Sequence, residues 1–320
     1  MSSKFEAVLR PTERDISELS AQYPSVPFFT PSYLQACAAG GEVPCAFLLR
    51  DGSAIKSGVA GSLRTGRLGA SLQIPTASAV PDPQSFWQQV QMFCKKHRVW
   101  NLSVQTFASD DASIPPLAGE SVRRDRVEHV LALRPGEPFK FSSNHRRNIN
   151  KARRANVVLT TSRSNEDQGA HLRLMQQSIQ RRTDRGETIA IPRETGFHAA
   201  LLQYGAADLF QARVEGELLT SILILRSATS RYYHSAGSSK HGMELGSSAF
   251  LVAALAEMFA AEGLATFNLG GAVADEEGLW RFKTGFGGEQ RQLQSVDAST
   301  EPQFVRVLKY LTSLPGRIRG

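Results

Sequence analysis

The chain is poor in cysteine and has no long apolar run. Among its 320 residues there are three cysteines, Cys37, Cys45 and Cys94, and their spacing matches no metal-binding motif. Every apolar run is well below the roughly 20 residues that a membrane-spanning helix needs. The N-terminus, MSSKFEAVLR, lacks the apolar core of a signal peptide. We therefore expect reduced thiols, no metal site, no transmembrane segment and a cytoplasmic location.

Acidic residues are missing from one stretch of an otherwise ordinary composition. The apolar fraction is 41%, the charged fraction is 21% and the net charge is +7. Residues 138–165 contain seven cations and no acid, which equals the excess of the whole chain: Lys140, Arg146, Arg147, Lys151, Arg153, Arg154 and Arg163. Such a stripe favours an anionic partner such as phosphate, nucleic acid or an acidic lipid headgroup. The commoner alternative is a solvated helix face.

Residues 232–288 have the clearest secondary-structure pattern. The segment RYYHSAG alternates and is rich in β-formers, which predicts a strand. Residues 247–262 are apolar almost all round, which is typical of a buried helix. The segment ATFNLGG then predicts a second, buried strand. A strand, a buried helix and a strand form a βαβ crossover, so the two strands are expected to be parallel neighbours.

The two halves of the chain share a similar order of elements. The first is a strand, helices, a hairpin at Asp51-Gly52, a strand, a helix and a strand. The second is helices, three meandering strands, a helix, a strand, a helix and a strand. We predict an α/β fold with two tandem domains, each a central mixed sheet flanked by helices. Proline and glycine cluster at 134–138, so the expected domains are 1–136 and 137–320.

Four segments in this order resemble the GNAT acyltransferase superfamily, and more narrowly its Fem-type branch and bacterial polysaccharide-associated relatives. They are FSSNHRRNINKARRANV (141–157), YYHSAGSS (232–239), FNLGG (267–271) and GLWRFKTGFGG (278–288). The resemblance implies two tandem GNAT domains, of which the first is degenerate and the second transfers the acyl group. GNAT enzymes use no covalent intermediate, so the absence of a Ser-His-Asp or Cys-His signature does not conflict with it.

The resemblance implies a donor site at the start of the buried helix. In GNAT proteins that bind coenzyme A, a glycine-rich turn here holds the pyrophosphate with backbone N–H groups and the helix dipole. This chain supplies Gly246, Ser247 and Ser248, but it departs from the usual basic-Gly-X-Gly pattern, and an ordinary capped helix is an equal alternative. Fem-type enzymes also depart here, and some take aminoacyl-tRNA. The implied donor is therefore acyl-CoA or aminoacyl-tRNA.

Three cations are the candidate contacts to the donor. The Fem-type resemblance places a functional lysine at Lys283, in RFKTGFGG, where an ammonium can contact a donor phosphate or polarise the acyl carbonyl. Its alternative is a surface lysine with a buried stem. The resemblance also stresses HRRNI on the basic helix, which selects Arg146 and Arg147 as donor-binding residues.

The residues that move protons are less clearly indicated. Tyr233, or a histidine on the same strand, is a candidate to protonate the leaving group, and core packing is its alternative. Asp275 is a candidate to take the proton from the incoming amine, and Glu187 has the same ambiguity. Ordinary loop acids are the alternative for both.

The function predicted from these residues is N-acyl transfer. An acyl or aminoacyl group moves from acyl-CoA or aminoacyl-tRNA to an amine of a cell-envelope or polysaccharide precursor or of another small acceptor. The alternatives are a non-catalytic tRNA-binding protein and a scaffold of GNAT fold. Residues 304–320 combine apolar residues with four cations, which is compatible with peripheral membrane contact or with a helix packed on its own domain.

Overall fold

Strands and helices alternate through the computed structural model, which describes residues 3–66, 69–110, 113–186, 195–272 and 276–301. The strands are β1 (Lys4–Leu9), β2 (Val43–Asp51), β3 (Ala54–Gly66), β4 (Gly69–Ile74), β5 (Val99–Gln105), β6 (Glu120–Ala132), β7 (Val158–Ser162), β8 (Ala207–Val214), β9 (Glu217–Arg226), β10 (Ser230–Ser238), β11 (Thr266–Ala272) and β12 (Glu289–Ser299). The helices are α1 (Glu13–Gln22), α2 (Pro31–Ala39), α3 (Pro83–Lys96), α4 (Ser143–Arg154), α5 (Asn165–Thr183), α6 (Thr195–Gln203), α7 (Lys240–Leu245), α8 (Ser247–Ala261) and α9 (Glu277–Thr284). A 3₁₀ turn lies at Pro27–Phe29.

All of these strands form one mixed sheet. Their order is β1-β2-β3-β4-β5-β12-β6-β11-β10-β9-β8-β7. Neighbours are antiparallel except for the pairs β4–β5 and β10–β11, which are parallel. The pattern reads the same from either edge, so β1–β5 correspond to β7–β11 and β6 corresponds to β12. The predicted mixed α/β architecture with two similar halves is therefore present, as one continuous sheet rather than one sheet for each half.

The two halves exchange their last strands. Strand β6 comes from the first half, but it lies between β11 and β12. Strand β12 comes from the second half and pairs with β5 as well as with β6. The sequence predicts that β6 is the last strand of the first half. This is correct for the order along the chain, but in the sheet β6 pairs with two strands of the second half. The hydrogen-bonded sheet is continuous across the predicted division between 1–136 and 137–320, which stays a prediction.

Two apolar cores lie against this sheet. One contains the first half together with α6 and Tyr232. The other surrounds α8 and includes residues of β8, β9 and β11. Helix α8 is apolar and buried over most of its surface, as the sequence predicts, with Glu257 as its exposed charged residue. Its core positions Leu251, Val252 and Leu255 have no solvent exposure.

Local signals explain several element boundaries. The hairpin between β2 and β3 turns at Gly52, as its Asp-Gly dipeptide predicts. Helix α4 begins after Ser142, whose hydroxyl accepts a hydrogen bond from the backbone N–H of His145. The three cysteines are buried thiols. No helix among the described ranges is long and apolar enough to cross a membrane. The amphipathic helix expected after residue 303 lies outside those ranges.

Candidate active site

Strands β10 and β11 separate soon after they meet. They pair in parallel at three positions, where 230–232 face 266–268. Beyond this point β10 has a bulge between Tyr233 and Ser235, and the pairing of β11 with β6 is irregular between Asn268 and Gly271. A bulge bends its strand and interrupts the ladder, so the two strands diverge into a wedge. The predicted βαβ crossover thus ends in an open gap between parallel strands, with α8 packed against the same part of the sheet.

Lys283 occupies this gap. Its side chain leaves α9 and is only 6% exposed, so the alternative of a surface lysine does not describe it. Its Nζ donates a hydrogen bond of 2.7 Å to the backbone carbonyl of Gly271, at the end of β11. Burial lowers the pKa of Lys283 to about 8, although the nearby carboxylates of Glu128 and Glu276 oppose the shift. The site therefore holds a desolvated amine whose charge changes near neutral pH.

Glu128, on β6, faces Lys283 from the other half of the chain. Its Oε1 accepts a hydrogen bond of 3.1 Å from the hydroxyl of Tyr232, and its Oε2 accepts one of 2.9 Å from Nδ2 of Asn268. The backbone N–H of Ala108 donates to the same carboxylate at 3.1 Å. Burial raises the pKa of Glu128, while these donors and Lys283 oppose the rise. Sequence analysis missed Glu128, and its signal was an acid inside the apolar run of RVEHVLALR.

An ion pair closes one side of the site. The guanidinium of Arg182, at the end of α5, lies 2.5 Å from the carboxylate of Glu276, just before α9. Each side chain is about a quarter exposed, at 25% and 26%. Asp275, the predicted acceptor of the amine proton, and Glu187 both lie outside the described residues. Within the described ranges, no group of histidine, cysteine and acidic residues is arranged to hold a metal ion.

The start of α8 is packed against α4. Gly246 connects α7 to α8 in the left-handed conformation, with φ of 74°. A Cβ at this position would lie 2.8 Å from Cβ of Asn148, so α4 approaches the helix start directly. Helix α7 is not predicted by the sequence. It orders the glycine-containing stretch that was expected to be an open turn.

The two predicted serines of the donor site are engaged within the protein. The hydroxyl of Ser247 is buried, donates to the carbonyl of Gly242 at 2.9 Å and lies 2.6 Å from the hydroxyl of Thr220. The hydroxyl of Ser248 lies 2.7 Å from that of Ser238, and Ser248 is half-buried. These hydroxyls tie β9 and β10 to the start of α8.

The basic helix presents its predicted residues to solvent. Arg146 and Arg147 are both exposed. Arg147 donates to Oδ1 of Asn144 at 2.8 Å, and Arg146 lines a surface cavity of about 510 Å³ together with Arg134 and Arg153. The exposed guanidinium groups of α4 are available to phosphate, and the cavity lined by Arg146 includes residues of the last turn of α8.

The buried residues of the HRRNI segment are His145 and Ile149, and of these His145 makes polar contacts. Its Nε2 lies 2.9 Å from the backbone carbonyl of Phe282, and its Nδ1 lies 3.0 Å from the hydroxyl of Ser142. A Cβ on Gly285 would lie 2.3 Å from Cε1 of this imidazole, so only glycine permits the contact. Helix α4 is thereby fixed to the turn of α9 that carries Lys283. The sequence predicts a functional role for Arg146 and Arg147 of this segment, whereas its histidine has a structural contact with α9.

The two adjacent tyrosines of β10 point to opposite sides, as strand geometry requires. Tyr233 packs against the core around α8, and burial raises its pKa. Tyr232 belongs to the other core and reaches Glu128. The structure therefore connects Tyr232, rather than the predicted Tyr233, to the side chains around Lys283.

The comparisons with known proteins agree with this geometry. Residues 140–284, somewhat less than half of the chain, match the model of the acetyltransferase (GNAT) domain family. Comparison with curated protein sequences gives no match.

Solved structures extend the likeness to the whole chain. FemX has 11% identity and a TM-score of 0.68, with 96% of this chain and 99% of that chain covered. A tandem GNAT protein from the clavulanic acid biosynthesis pathway has 12% identity and a TM-score of 0.57, with coverage of 94% and 100%. The C-terminal domain of a putative lysylphosphatidylglycerol synthetase from Agrobacterium fabrum has 14% identity and a TM-score of 0.54, with coverage of 96% and 99%. Residues 140–284 thus resemble a GNAT domain, and the fold of the whole chain is similar to that of FemX and of a tandem GNAT protein.

Proposed function

We propose that this chain is an N-acyltransferase that moves an acyl or aminoacyl group onto an amine of a cell-envelope or polysaccharide precursor or of another small acceptor. The observation that carries the proposal is Lys283, a buried amine at the point where β10 and β11 diverge. A GNAT fold with a cationic hydrogen-bond donor in this gap supports acyl transfer. The carbonyl carbon of the donor then has to lie within the wedge.

Lys283 acts on the donor carbonyl. Its ammonium has three N–H donors, of which Gly271 uses one, so a carbonyl oxygen can accept another. As the amine nitrogen attacks, negative charge develops on that oxygen, and a buried ammonium stabilises it more strongly than a solvated one. The C–N bond forms and the bond to the leaving sulfur or oxygen breaks. The protein forms no covalent bond to the acyl group.

The donor is acyl-CoA or aminoacyl-tRNA. Both carry phosphates, which suit the exposed guanidinium groups of Arg146 and Arg147. The likeness in fold to a putative lysylphosphatidylglycerol synthetase domain supports an aminoacyl donor and an acceptor of the cell envelope. The packed start of α8 favours a donor held mainly by exposed cations rather than by an open glycine-rich loop. A cytoplasmic location and peripheral membrane contact through 304–320 stay predictions.

A donor screen tests the proposal. The purified full chain is incubated with acetyl-CoA, lysyl-tRNA or alanyl-tRNA, each with D-glucosamine or diaminopimelate as the acceptor. Free thiol or deacylated tRNA is measured with and without the amine. We expect amine-dependent turnover with one donor class and its loss in Lys283→Met, while the exposed-site control Lys56→Met keeps the wild-type rate. No turnover and no binding with either donor class contradicts the proposal.

The same screen separates the nucleic-acid-binding alternative. The exposed cations of α4 are the observation that favours it. Binding without catalysis is supported if the affinity for tRNA falls steeply with salt and is unchanged in Lys283→Met, and if no condition gives transfer.

A further inference from the structure

A cavity lies between the two halves of the chain, beside the wedge. It has a volume of about 300 Å³ and is lined by aromatic rings from both halves: Phe28, Tyr33, Phe107, Phe197 and Tyr232. Of the residues that line it, His234 carries the side chain able to take up a proton at neutral pH. His234 is the bulged residue of β10, directly after the point where β10 and β11 stop pairing. The cavity therefore opens next to the place where the acyl carbonyl is expected.

Two further histidines lie behind His234. The ring centroids of His234 and His198 are 5.7 Å apart, and those of His198 and His171 are 5.8 Å apart. His171, on α5, is fixed on both sides, because its Nδ1 lies 3.0 Å from the hydroxyl of Ser221 and its Nε2 lies 3.1 Å from that of Ser235. The three imidazoles form a row that leads from the cavity into the protein.

His198, the middle member, has unused capacity to bind a proton. It is 6% exposed, and its Nε2 makes a long contact of 3.5 Å to the hydroxyl of Ser235. Its Nδ1 is buried and has no hydrogen-bond partner among the described residues. Buried polar atoms are nearly always paired, so the open Nδ1 of His198 is a position at which a proton can still bind.

We propose that His234 and His198 together take up the proton that the acceptor amine loses when it attacks the acyl carbonyl. This inference rests on the proposed function and names the proton acceptor for it. The amine nitrogen forms the C–N bond, its proton passes to the imidazole pair, and the leaving sulfur or oxygen takes a proton from solvent. The pair then returns its proton to solvent, so each turnover begins with neutral imidazoles.

The surroundings suit this role. Burial lowers the pKa of His198, which keeps it neutral and able to accept a proton. Burial and its neighbour His198 lower the pKa of His171 to about 3, so His171 stays neutral and orients the row. Among the residues that line the cavity with His234, the other titratable groups are Tyr33 on α2 and Tyr232 on β10, and the hydroxyl of Tyr232 donates to the carboxylate of Glu128.

Two other buried groups are less suited to accept the proton. The carboxylate of Glu128 already accepts hydrogen bonds from Tyr232, Asn268 and Ala108, and it is 2% exposed. His129 has no solvent exposure and packs against Trp280, and burial together with the nearby charge of Lys283 lowers its pKa to about 4. Unlike His234, neither Glu128 nor His129 lines the aromatic cavity.

The test compares pH profiles. With the donor and acceptor found in the screen above, kcat/KM is measured from pH 5 to pH 9 for the wild type, His234→Gln, His198→Gln and the control His97→Gln. His97 is exposed at the end of α3. General-base catalysis contributes on the order of a hundred-fold or more, so His234→Gln should lose about that factor and the acidic limb of the profile. His234→Ala should regain part of the rate when imidazole is added, and His97→Gln should match the wild type.

The outcomes distinguish this inference from the function on which it rests. Suppose that transfer needs Lys283, but both His234→Gln and His198→Gln keep the wild-type rate and acidic limb. The assignment of the proton acceptor is then wrong, while the proposed function stands. If the wild type transfers nothing, the pair is examined by nitrogen NMR of the histidines in the full chain. If the two histidines titrate together in the wild type and this coupling disappears in His234→Gln or His198→Gln, they share a proton. If they titrate independently, the proposed pair is wrong.

Discussion

The hydroxyl of Tyr232 lies 3.1 Å from Oε1 of Glu128, so a residue of β10 is bonded to a residue of β6 that comes from the other half of the chain. Asn268 of β11 donates to the same carboxylate. Three strands are thereby joined at one buried acid, at the position where β10 and β11 begin to diverge. The geometry of the wedge depends on this acid as well as on the residues of the GNAT motif.

Removing the hydroxyl of Tyr232 should destabilise the fold. Tyr232→Phe leaves a buried carboxylate without one of its donors, which typically costs about 1–3 kcal/mol. We expect a lower free energy of unfolding in urea, with little change in Tyr204→Phe, which alters an exposed tyrosine. An unchanged denaturation midpoint in Tyr232→Phe would show that the contact with Glu128 adds nothing to stability.

Activity should fall on the alkaline side as Lys283 loses its proton. Its pKa is about 8, and only the ammonium form donates strongly to a developing oxyanion. Above this value the charged fraction drops about ten-fold per pH unit. We therefore expect an alkaline limb near pH 8 in kcat/KM, measured with the wild type and with Lys56→Met. A rate that stays flat to pH 10 would be incompatible with an ammonium at the reaction centre.

In contrast to the activity, the free energy of unfolding should increase as the pH rises above about 8. The pKa of Lys283 is about 8 in the folded protein and near 10.5 when unfolded, so between these values the unfolded chain holds a proton that the folded chain has released. Raising the pH through this window therefore favours the folded state. Relative to Lys283→Met, the wild type should gain about 2 kcal/mol of unfolding free energy between pH 7 and pH 10. An unchanging difference would mean that Lys283 is not desolvated.

Gly246→Ala should disrupt the contact between α4 and α8. The φ of 74° disfavours a side chain, and the new Cβ would meet Asn148 at 2.8 Å. We expect a loss of about 1–3 kcal/mol in unfolding free energy, by analogy with other strained backbone positions. Gly278→Ala in α9 is the matched control, because no atom lies within 4 Å of its added Cβ. Equal stability of the two variants would argue against close packing at Gly246.

Separating the halves should abolish folding of each one. Residues 137–320 lack β6 and with it Glu128, so β11 and β12 would lose their shared partner. We expect fragments 1–136 and 137–320 to be unfolded or aggregated when expressed alone and to recover a common fold when expressed together, as judged by circular dichroism and gel filtration. A stable, monomeric 137–320 fragment would show that the exchanged strand is dispensable.

The parts of the site that are formed by residues close together in the sequence can be predicted from local patterns. The strand, buried helix and strand between 232 and 272 follow from periodicity, and the motif around Lys283 identifies the residue that the structure places in the wedge. Its burial depends on distant residues as well, because Gly271 of β11 and Glu128 of β6 lie beside its ammonium group.

Contacts between residues that are far apart in the chain cannot be predicted from local sequence patterns. The acid at Glu128 and the histidine at His198 lie 155 and 85 positions before Lys283, and only strand pairing and helix packing bring them near the wedge. The exchange of β6 and β12 escapes for the same reason, because either half alone offers a plausible local partner for its last strand. Helix α7 is missed because it is short and because Gly242 within it weakens the helical pattern.

The exchanged strands bear on how such a fold can be assembled. Two separate chains, each with one set of six strands, would form the same sheet by domain swapping, with a two-fold axis between their last strands. In the present chain the segment after β6 connects two such units covalently, so an arrangement that would otherwise depend on protein concentration forms within one molecule. Because β6 completes the sheet beside β11 and β12 completes it beside β5, either half can change in sequence while the other still supplies its missing strand.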